Sequence, residues 1–238
     1  MRIFILDTET TGVDDPKVVE ITVAEYVDGE QSLKVITERC NPKKDISIKA
    51  MSVHGITQED VENSPMFKES RAYKLLMENN NEDNVVVIHN AKFDLGVLEN
   101  EGYVNHMRVV DTLILARHMY KDDLEMEHNL PYLKYGLKLY KMTLPEGFAR
   151  GMDAHSSEGD VATLFALFMY MGATWTVDEM IKKTSEKVIY NIMPIGKYKG
   201  EKISSLVYKD KRYLNWLMGS TENASLKDSI DHHLNGKE

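Results

Sequence analysis

The stretch Phe4-Ile5-Leu6-Asp7-Thr8-Glu9-Thr10-Thr11-Gly12 starts as an apolar strand and ends in acids and a tight turn. We predict a buried strand over residues 2–7 that ends at Asp7. Side chains two residues apart on a strand lie on one side of it, so Asp7 and Glu9 should project together. Two neighbouring carboxylates repel each other unless a cation lies between them, and a divalent metal with oxygen ligands is the usual remedy. A solvated strand end is the commoner fate of an isolated Asp-x-Glu, so this stretch alone leaves both interpretations open.

Strand and helix patterns alternate along the chain beyond this stretch. Further strands are predicted at 18–27, around 32–39 after the turn signal Asp28-Gly29, at Val85–His89 and at Val109-Val110. Helices are predicted from Gln58 after a Thr57 cap, from Ser64-Pro65, over Asp94–Gly102, after a cap at Asp111 and over 156–171. Strands followed by alternating strands and helices indicate an α/β fold, with a mixed sheet flanked by helices.

The apolar patterning loosens in the last third of the chain. We predict one main domain over 1–172, a linker over 173–191 and a small C-terminal module over 192–238. The module contains the aromatic run Tyr213-Leu214-Asn215-Trp216-Leu217 and a Lys- and Arg-bearing stretch over 197–212. That stretch is a candidate for salt-sensitive phosphate contacts, and a charged solvated face is an equal alternative.

The composition sets broad limits on location and partners. The 238 residues carry a formal net charge of −9, with 42% apolar and 28% charged residues, which is ordinary for a globular protein. No stretch approaches the length of a membrane span, and we expect no signal peptide. Cys40 is the only cysteine, so a reducing cytoplasm is the expected location. The negative charge does not exclude nucleic acid, because a metal-dependent nuclease collects carboxylates and its metals restore positive charge where phosphate binds.

Two further polar groups follow predicted secondary structure. The segment 89–94, His-Asn-Ala-Lys-Phe-Asp, comes after an apolar strand, and a turn with a helix cap is about as good an interpretation as a functional site. His155 lies just before a predicted helix and Asp160 on its early turns, although a histidine at a helix start is more often structural. Strand ends and helix starts that carry acids in this order would bring four carboxylates to one crevice. Asp111 is interpreted as a helix cap rather than a fifth ligand.

Together these motifs resemble the DEDDh, DnaQ-like class of 3′→5′ exonucleases, whose fold is ribonuclease H-like. The family's first motif, an apolar strand and then Asp-x-Glu-Thr-Thr-Gly, matches residues 4–12, and its second, His-Asn-Ala-x-Phe-Asp, matches 89–94. Its third, His and Asp with four residues between them, matches His155 and Asp160. The segment 50–57 is similar to the family's Val-His-Gly-Ile loop. The resemblance implies a mixed five-stranded sheet flanked by helices, and the tail is similar to that of a bacterial member.

The resemblance also implies roles for five residues. Asp7, Glu9 and Asp160 would hold one Mg²⁺, Asp7 would bridge to a second, and Asp94 would support that second ion. Two such ions activate the attacking water and neutralise charge on the leaving 3′ oxygen, and Mn²⁺ would substitute. His155 would act as the general base, because an unperturbed pKa of about 6.5 lies close to working pH. The product would be a nucleoside 5′-monophosphate.

The nature of the substrate follows from the same resemblance. Thr10, Thr11 and His54 would contact the terminal nucleotide, and Phe93 would pack against it unless it is simply a core residue. DNA 3′ ends, preferably of single strands, are the expected substrate, in a role such as DNA repair. No membrane partner is expected, and a homo-oligomer is compatible with the sequence. Two alternatives stay open: an exoribonuclease on the same fold, which would differ by contacts to the 2′-OH, and a proofreading subunit of a polymerase.

Overall fold

The computed structural model describes residues 1–27, 33–149, 151–152 and 156–236, and its strands form one sheet. The strands are β1 (Ile3–Thr10), β2 (Val18–Tyr26), β3 (Lys34–Arg39), β4 (Val85–Ile88) and β5 (Arg108–Asp111). Their order is β3-β2-β1-β4-β5, with β3, β2 and β1 antiparallel and β1, β4 and β5 parallel. Val and Ile dominate these strands because branched side chains pack well on a pleated surface. The predicted mixed five-stranded sheet is confirmed.

The first strand runs past its acids, so its predicted end at Asp7 is wrong. Pairing with β2 continues through Asp7 opposite Thr22 and Glu9 opposite Glu20. A bulge then shifts the register between Glu9 and Thr10. The backbone hydrogen bonds to β2 outweigh the weak strand preference of the two acids, and the bulge changes the direction of the side chains that follow.

The described residues contain eleven α-helices, and those that pack against the sheet lie on both of its faces. The eleven are α1 (Ile48–His54), α2 (Gln58–Val61), α3 (Arg71–Glu78), α4 (Ala91–Asn100), α5 (Thr112–Met119), α6 (Leu130–Gly136), α7 (Ser157–Gly172), α8 (Val177–Ser185), α9 (Ile203–Lys209), α10 (Lys211–Ser220) and α11 (Ala224–Leu234). Short 3₁₀ turns lie at Phe67–Glu69, Leu139–Lys141 and Gly196–Tyr198. The helices predicted from Gln58 and over 156–171 are present as α2 and α7.

Two predicted helix starts are wrong. The segment Ser64-Pro65 begins no α-helix, and α3 starts later behind a Ser70 cap, whose hydroxyl accepts the Tyr73 N–H at 3.0 Å. A serine is a good cap only where the chain ahead of it can turn into a helix, and here a 3₁₀ turn with a buried phenylalanine comes first. Helix α4 begins at Ala91 rather than at Asp94, which places Asp94 in its first turn.

The two faces of β1 have different partners. Phe4 and Leu6 belong to a buried cluster that also contains Leu76 of α3 and Leu98 of α4. Helix α7 packs against β1 and β2 and buries nearly all of its apolar side chains. Because strand side chains alternate, residues with odd numbers, including both acids of the first motif, lie on the face opposite Phe4 and Leu6.

The described residues fall into two compact units. Unit 1 consists of Met1–Thr112 and Asn129–Ile181 and contains the sheet, and unit 2 consists of Leu113–His128 and Lys182–Glu238. Unit 2 has its own apolar core, formed by Val188, Tyr190, Met193, Tyr198, Ile203, Leu206, Leu214, Leu217, Leu226 and Ile230. The division into a main domain, a linker and a C-terminal module made from the sequence stays a prediction.

Within the part of the chain that the structure describes, no single helix is both long enough and apolar enough to cross a membrane. Helices α7 and α8 reach the required length and composition only as a pair, and the pair is bent by 103°. Most of α7 is buried within the fold.

Candidate active site

Three carboxylates from two elements converge beside the sheet. Asp7 and Glu9 project from β1, and Asp160 projects from the first turn of α7. One oxygen atom of each lies within 4.8 Å of the other two, and all three side chains are half-buried. Ser156 fixes the start of α7, because its hydroxyl accepts the Gly159 N–H at 3.2 Å. This cap holds the turn that carries Asp160 against the first strand.

Asp94 reaches the same strand from α4. Its carboxylate is buried, and its Oδ1 accepts both the backbone N–H of Thr8 at 3.2 Å and the Thr8 hydroxyl at 2.7 Å. Burial raises the pKa of Asp7 well above its usual range, and Asp94 is the foremost of the neighbouring charges that raise it further. Asp94 therefore acts electrostatically on the three-carboxylate cluster, although it is not part of the tight group itself.

Burial and neighbouring negative charges raise the pKa values of these acids. Burial, and then the charges of Asp160, Glu20 and Asp94, raise the pKa of Glu9 to about 8. Burial raises the pKa of Asp94 to about 7, against the lowering effect of the hydrogen bonds from Thr8. A cation among the carboxylates would relieve this repulsion, and a set of oxygen donors alone suits a hard divalent ion. The residues present therefore fit a divalent metal.

A buried polar network lies behind Glu9, and the motifs gave no sign of it. Glu20, opposite Glu9 on β2, is 3% exposed. One of its carboxylate oxygens accepts the Ser157 hydroxyl at 2.9 Å, and the other lies 3.5 Å from Arg39 Nε. The Ser157 hydroxyl also lies 2.7 Å from the hydroxyl of Thr22. The network joins the first residue of α7 to β2. Glu20 could have indicated such a network, because it is an acid within an apolar strand and a buried charge needs partners.

Asp111 supports the second motif from outside the cluster. Its carboxylate accepts the backbone N–H of Asn90 at 3.1 Å and that of Ala91 at 2.9 Å. Asp111 therefore caps the start of α4, whereas the sequence pattern predicted a cap for the helix that follows it. Asn90 adopts a left-handed conformation with φ 71°, which turns the chain from β4 into the helix. The cap fixes the first turn of α4 and with it the direction of Asp94.

A cavity of about 620 Å³ opens beside Glu9. The turn after β1 forms one wall and α1 forms another, and the lining residues include Thr10, Thr11, Gly12, Ser47, Ala50 and His54. Lys44 and Lys49 also line it together with Asp14 and Asp45, and Lys44 Nζ lies 3.3 Å from the Asp15 carboxylate. The cavity therefore combines apolar surface with charged groups of both signs beside a carboxylate site.

The polar atoms of the predicted nucleotide contacts already have partners within the chain. The Thr10 hydroxyl donates to the Gly12 carbonyl at 2.9 Å, and the Thr11 hydroxyl accepts the Lys17 N–H at 3.1 Å. His54 Nδ1 accepts the N–H of Ile56 at 3.0 Å, so Nε2 carries the proton and donates to the Thr10 carbonyl at 3.2 Å. Burial lowers the pKa of His54, which favours this neutral form. Direct nucleotide contacts by Thr10, Thr11 and His54 stay predictions.

The remaining predicted residues have different outcomes. Phe93 is half-buried, packs against the core under α3 and α4, and lines a second cavity of about 460 Å³ with Pro16 and Lys92. This position agrees with both interpretations of Phe93, as a core residue and as a surface for a nucleotide. His155 lies outside the described residues, so its role as the general base stays a prediction.

Comparison with known proteins places these motifs in a family. The RNase_T family model, whose description is Exonuclease, matches residues 4–168. The chain is 28% identical over 237 residues to Exodeoxyribonuclease 10 of Escherichia coli (strain K12), covering 97% of both proteins. It is also 28% identical over 205 residues to the DNA polymerase III subunit epsilon of Rickettsia prowazekii (strain Madrid E), covering 78% of this chain and 81% of that protein.

Solved structures share the fold of this chain. Exonuclease X in complex with 5′ overhanging duplex DNA aligns with a TM-score of 0.59 at 25% identity, over 77% of this chain and 99% of that chain. The zinc-bound complex of E. coli ExoI with single-stranded DNA aligns with a TM-score of 0.58 at 15% identity, over 76% of this chain and 42% of that chain. The second likeness concerns the fold alone.

Three lines of observation agree on the family. The family model spans the sheet and α7 almost to its end, the fold aligns with that of a solved exonuclease, and the acids of the first and third motifs meet at one place with Asp94 of the second beside them. An exonuclease with an acidic cluster of this kind depends on a divalent metal. This chain therefore belongs to the DEDDh, DnaQ-like exonuclease family.

Proposed function

We propose that this protein removes nucleoside 5′-monophosphates one at a time from the 3′ ends of DNA, with two divalent metal ions as cofactors. The observation that carries the proposal is the convergence of Asp7, Glu9 and Asp160 within 4.8 Å, with the buried Asp94 beside them. Four carboxylates brought together at such a cost in repulsion are best explained by a site that works with cations.

Asp7, Glu9 and Asp160 would hold one ion, and Asp7 and Asp94 would hold the second. We propose Mg²⁺ as the physiological ion and Mn²⁺ as a substitute, because the donors are carboxylate oxygens. When bound, the ions supply Lewis acidity that activates the attacking water and offsets charge on the leaving 3′ oxygen. Thr8 orients Asp94 through two hydrogen bonds, and Glu20 with Ser157 holds the start of α7 near β2.

His155 would take the proton from the attacking water. Its support is the four-residue spacing to Asp160, whose helix turn is fixed by the Ser156 cap. The neutral His54 holds the Thr10 carbonyl and thereby shapes the wall of the 620 Å³ cavity, which would receive the terminal nucleotide. Phe93 would offer an apolar surface on the other side of the turn.

DNA is the proposed substrate because the relatives spanning most of this chain are named for work on DNA. We propose single strands as the preferred form, with repair as one fitting role. The buried thiol of Cys40, whose pKa burial raises to about 12, suits a reducing cytoplasm. A homo-oligomer is compatible with this function and is not required by it.

The test is digestion of two single strands of one sequence, one DNA and one RNA, each labelled at its 5′ end. We expect a ladder shortening from the 3′ end of the DNA with Mg²⁺, abolished by Asp7→Ala and unaffected by the exposed-acid control Asp83→Ala. RNA shortened while DNA survives would replace the substrate by RNA and keep the site. Equal activity of Asp7→Ala and wild type would overturn the assignment of the cluster.

A further inference from the structure

Unit 2 carries a local excess of positive charge in a chain that is acidic as a whole. The stretch from Ile195 to Tyr213 contains six Lys or Arg residues and two acids, against a net charge of −9 for the protein. Lys211 and Arg212 are exposed at the start of α10, and within the described residues neither makes an ion pair. A positive surface on an acidic nuclease is a candidate contact for phosphates.

Aromatic side chains are interleaved with these cations. Lys197 Nζ lies 4.6 Å and Lys209 Nζ 5.0 Å from the centre of the Tyr198 ring. Each is also paired with an acid, Lys197 with Asp210 at 3.5 Å and Lys209 with Glu201 at 2.8 Å. Tyr198 meets Tyr213 edge to face at 5.0 Å, and Tyr213 meets Trp216 at 5.7 Å. The buried Tyr198 is the base of the group, whereas Trp216 is 62% exposed. A large aromatic ring left this exposed at the end of a packed aromatic series has a free surface for stacking.

The shape of this group is fixed by the backbone. The loop before α9 is closed by hydrogen bonds from Met193 N–H to the Glu201 carbonyl and from Gly200 N–H to the Met193 carbonyl. Gly196 has φ +75°, and a β-carbon there would collide with the Tyr213 hydroxyl, so any other residue would strain the backbone and displace the Tyr213 ring. Asp210 accepts the Tyr198 hydroxyl at 2.8 Å and also caps α10.

We infer that this aromatic–basic face binds a single strand of nucleic acid, with a base stacked on Trp216 and phosphates held by the cations around it. The face consists of Tyr198, Tyr213 and Trp216 with Arg212 as its cation that has no ion pair in the described part of the chain, and the ion-paired Lys197 and Lys209 lie at its edge. Arg212 and Trp216 are four residues apart on α10 and share one side of the helix, which places a cation beside the exposed ring. Stacking on aromatics combined with backbone contacts by Lys and Arg is the chemistry of single-strand recognition without sequence preference.

The inference rests on the proposed function only for the choice of DNA as the strand. A second contact on the same chain as the nuclease unit would keep the substrate at a raised local concentration after each cleavage. The face would therefore act on affinity for long strands and leave the chemical step alone.

Binding is tested with the full-length protein in EDTA, by the fluorescence anisotropy of a fluorescein-labelled oligothymidylate. We expect Trp216→Ala to weaken binding by about 5- to 150-fold, since stacking of a base contributes about 1–3 kcal/mol, and Trp216→Phe to recover most of it. Arg212→Ala should flatten the dependence of log affinity on log salt by about 0.7 if it holds one phosphate. The control is Tyr135→Ala in unit 1, whose ring is 63% exposed. Unchanged affinity of Trp216→Ala, or equal weakening by Tyr135→Ala, overturns the inference.

Kinetics separate this inference from the proposed function. With Mg²⁺, Trp216→Ala should raise KM for a long DNA strand at least about 5-fold relative to KM for the p-nitrophenyl ester of thymidine 5′-phosphate, a substrate too small to reach a second contact. Equal changes in both KM values would place the effect at the nuclease site and contradict the inference. If wild type cleaves neither substrate, the proposed function fails. The anisotropy experiment still shows whether the aromatic–basic face binds a single strand.

Discussion

No motif assigns a role to the side chain of Thr8, yet its hydroxyl fixes the orientation of the Asp94 carboxylate. It lies 2.7 Å from Asp94 Oδ1 in a buried position. We expect Thr8→Val to raise the Mg²⁺ concentration for half-maximal activity by about 10- to 100-fold, because removing a hydrogen bond that orients a metal ligand weakens metal binding by that order. The measurement is a Mg²⁺ titration of initial cleavage rate.

Thr8→Ser is the matched control, since it keeps the hydroxyl and removes only a methyl group. It should stay within about 3-fold of wild type in the same titration. A normal Mg²⁺ requirement for Thr8→Val would mean that the backbone N–H of Thr8 is enough to orient Asp94.

At the same scale, the sequence is informative about the acids and silent about the residues that hold them. Asp7, Glu9, Asp94 and Asp160 are visible because they occur at fixed spacings after apolar strands or at a helix start. Thr8 and Asp94 lie 86 positions apart in the chain, so their hydrogen bond depends on the packing of α4 against β1 and leaves no local pattern. The neutral, engaged state of His54 likewise depends on the backbone around it.

At the scale of elements, the start of α7 is joined to β2 by the contact of Ser157 with Glu20. We expect Ser157→Ala to lower the free energy of unfolding by about 1–3 kcal/mol, because it leaves a buried carboxylate oxygen without its donor. Urea unfolding gives the value. The exposed serine variant Ser204→Ala should differ from wild type by less than about 0.5 kcal/mol. A similar result for both variants would show that Arg39 alone suffices for Glu20.

The types of the strands and of the predicted helices are right, their ends less so, and α1, α6, α8, α9 and α11 have no counterpart among the predictions. The central strands and the long α7 follow from continuous apolar runs with turn or cap residues at their ends, which are properties of the local sequence. The end of β1 depends on its pairing with β2, and the acid at position 111 caps α4, an element that precedes it in the chain. Tertiary contacts determine where such elements end, and these contacts cannot be read from a single sequence.

At the scale of the whole molecule, the stability of the metal-free protein should fall as pH rises. The pKa of Glu9 is raised from its usual 4.5 to about 8 and that of Asp94 from 3.8 to about 7, so the folded state binds more protons than the unfolded state up to about pH 8. Stability from these groups is complete below their unfolded pKa values and is lost as pH rises through the folded ones. A histidine whose pKa is lowered by folding, such as His54, makes stability rise with pH, and this effect is confined to pH values below about 6.5.

The clean window is therefore pH 6.5 to 8. In EDTA, we expect the melting temperature to fall across this window, by roughly 2–4 °C for each kcal/mol lost. Glu9→Gln should reduce the slope, and Mg²⁺ added at the upper end should restore the melting temperature of wild type more than that of Glu9→Gln. A melting temperature that is flat in EDTA would mean that the pKa values of Glu9 and Asp94 are not raised in the folded protein.

The grouping of the chain into two units depends on contacts between segments that are distant in the sequence. The segment Leu113–His128 belongs to unit 2 together with the chain after Lys182. It is joined there by contacts such as the Asn191 N–H to Asp122 Oδ1 at 2.7 Å, between residues 69 positions apart. Composition and turn residues indicate where the apolar pattern of the main domain ends. They do not indicate that residues 113–128 pack with residues after 182.

Metal-dependent cleavage from the 3′ end is measured on one DNA strand prepared with its label at either the 5′ or the 3′ end. In EDTA no product should form. On addition of Mg²⁺, the 3′ label should be released at once as a mononucleotide 5′-phosphate, while the 5′ label should pass through a ladder of shortening strands, and Asp160→Asn should abolish both. Immediate release of the 5′ label as a mononucleotide, or full activity in EDTA, would contradict the account.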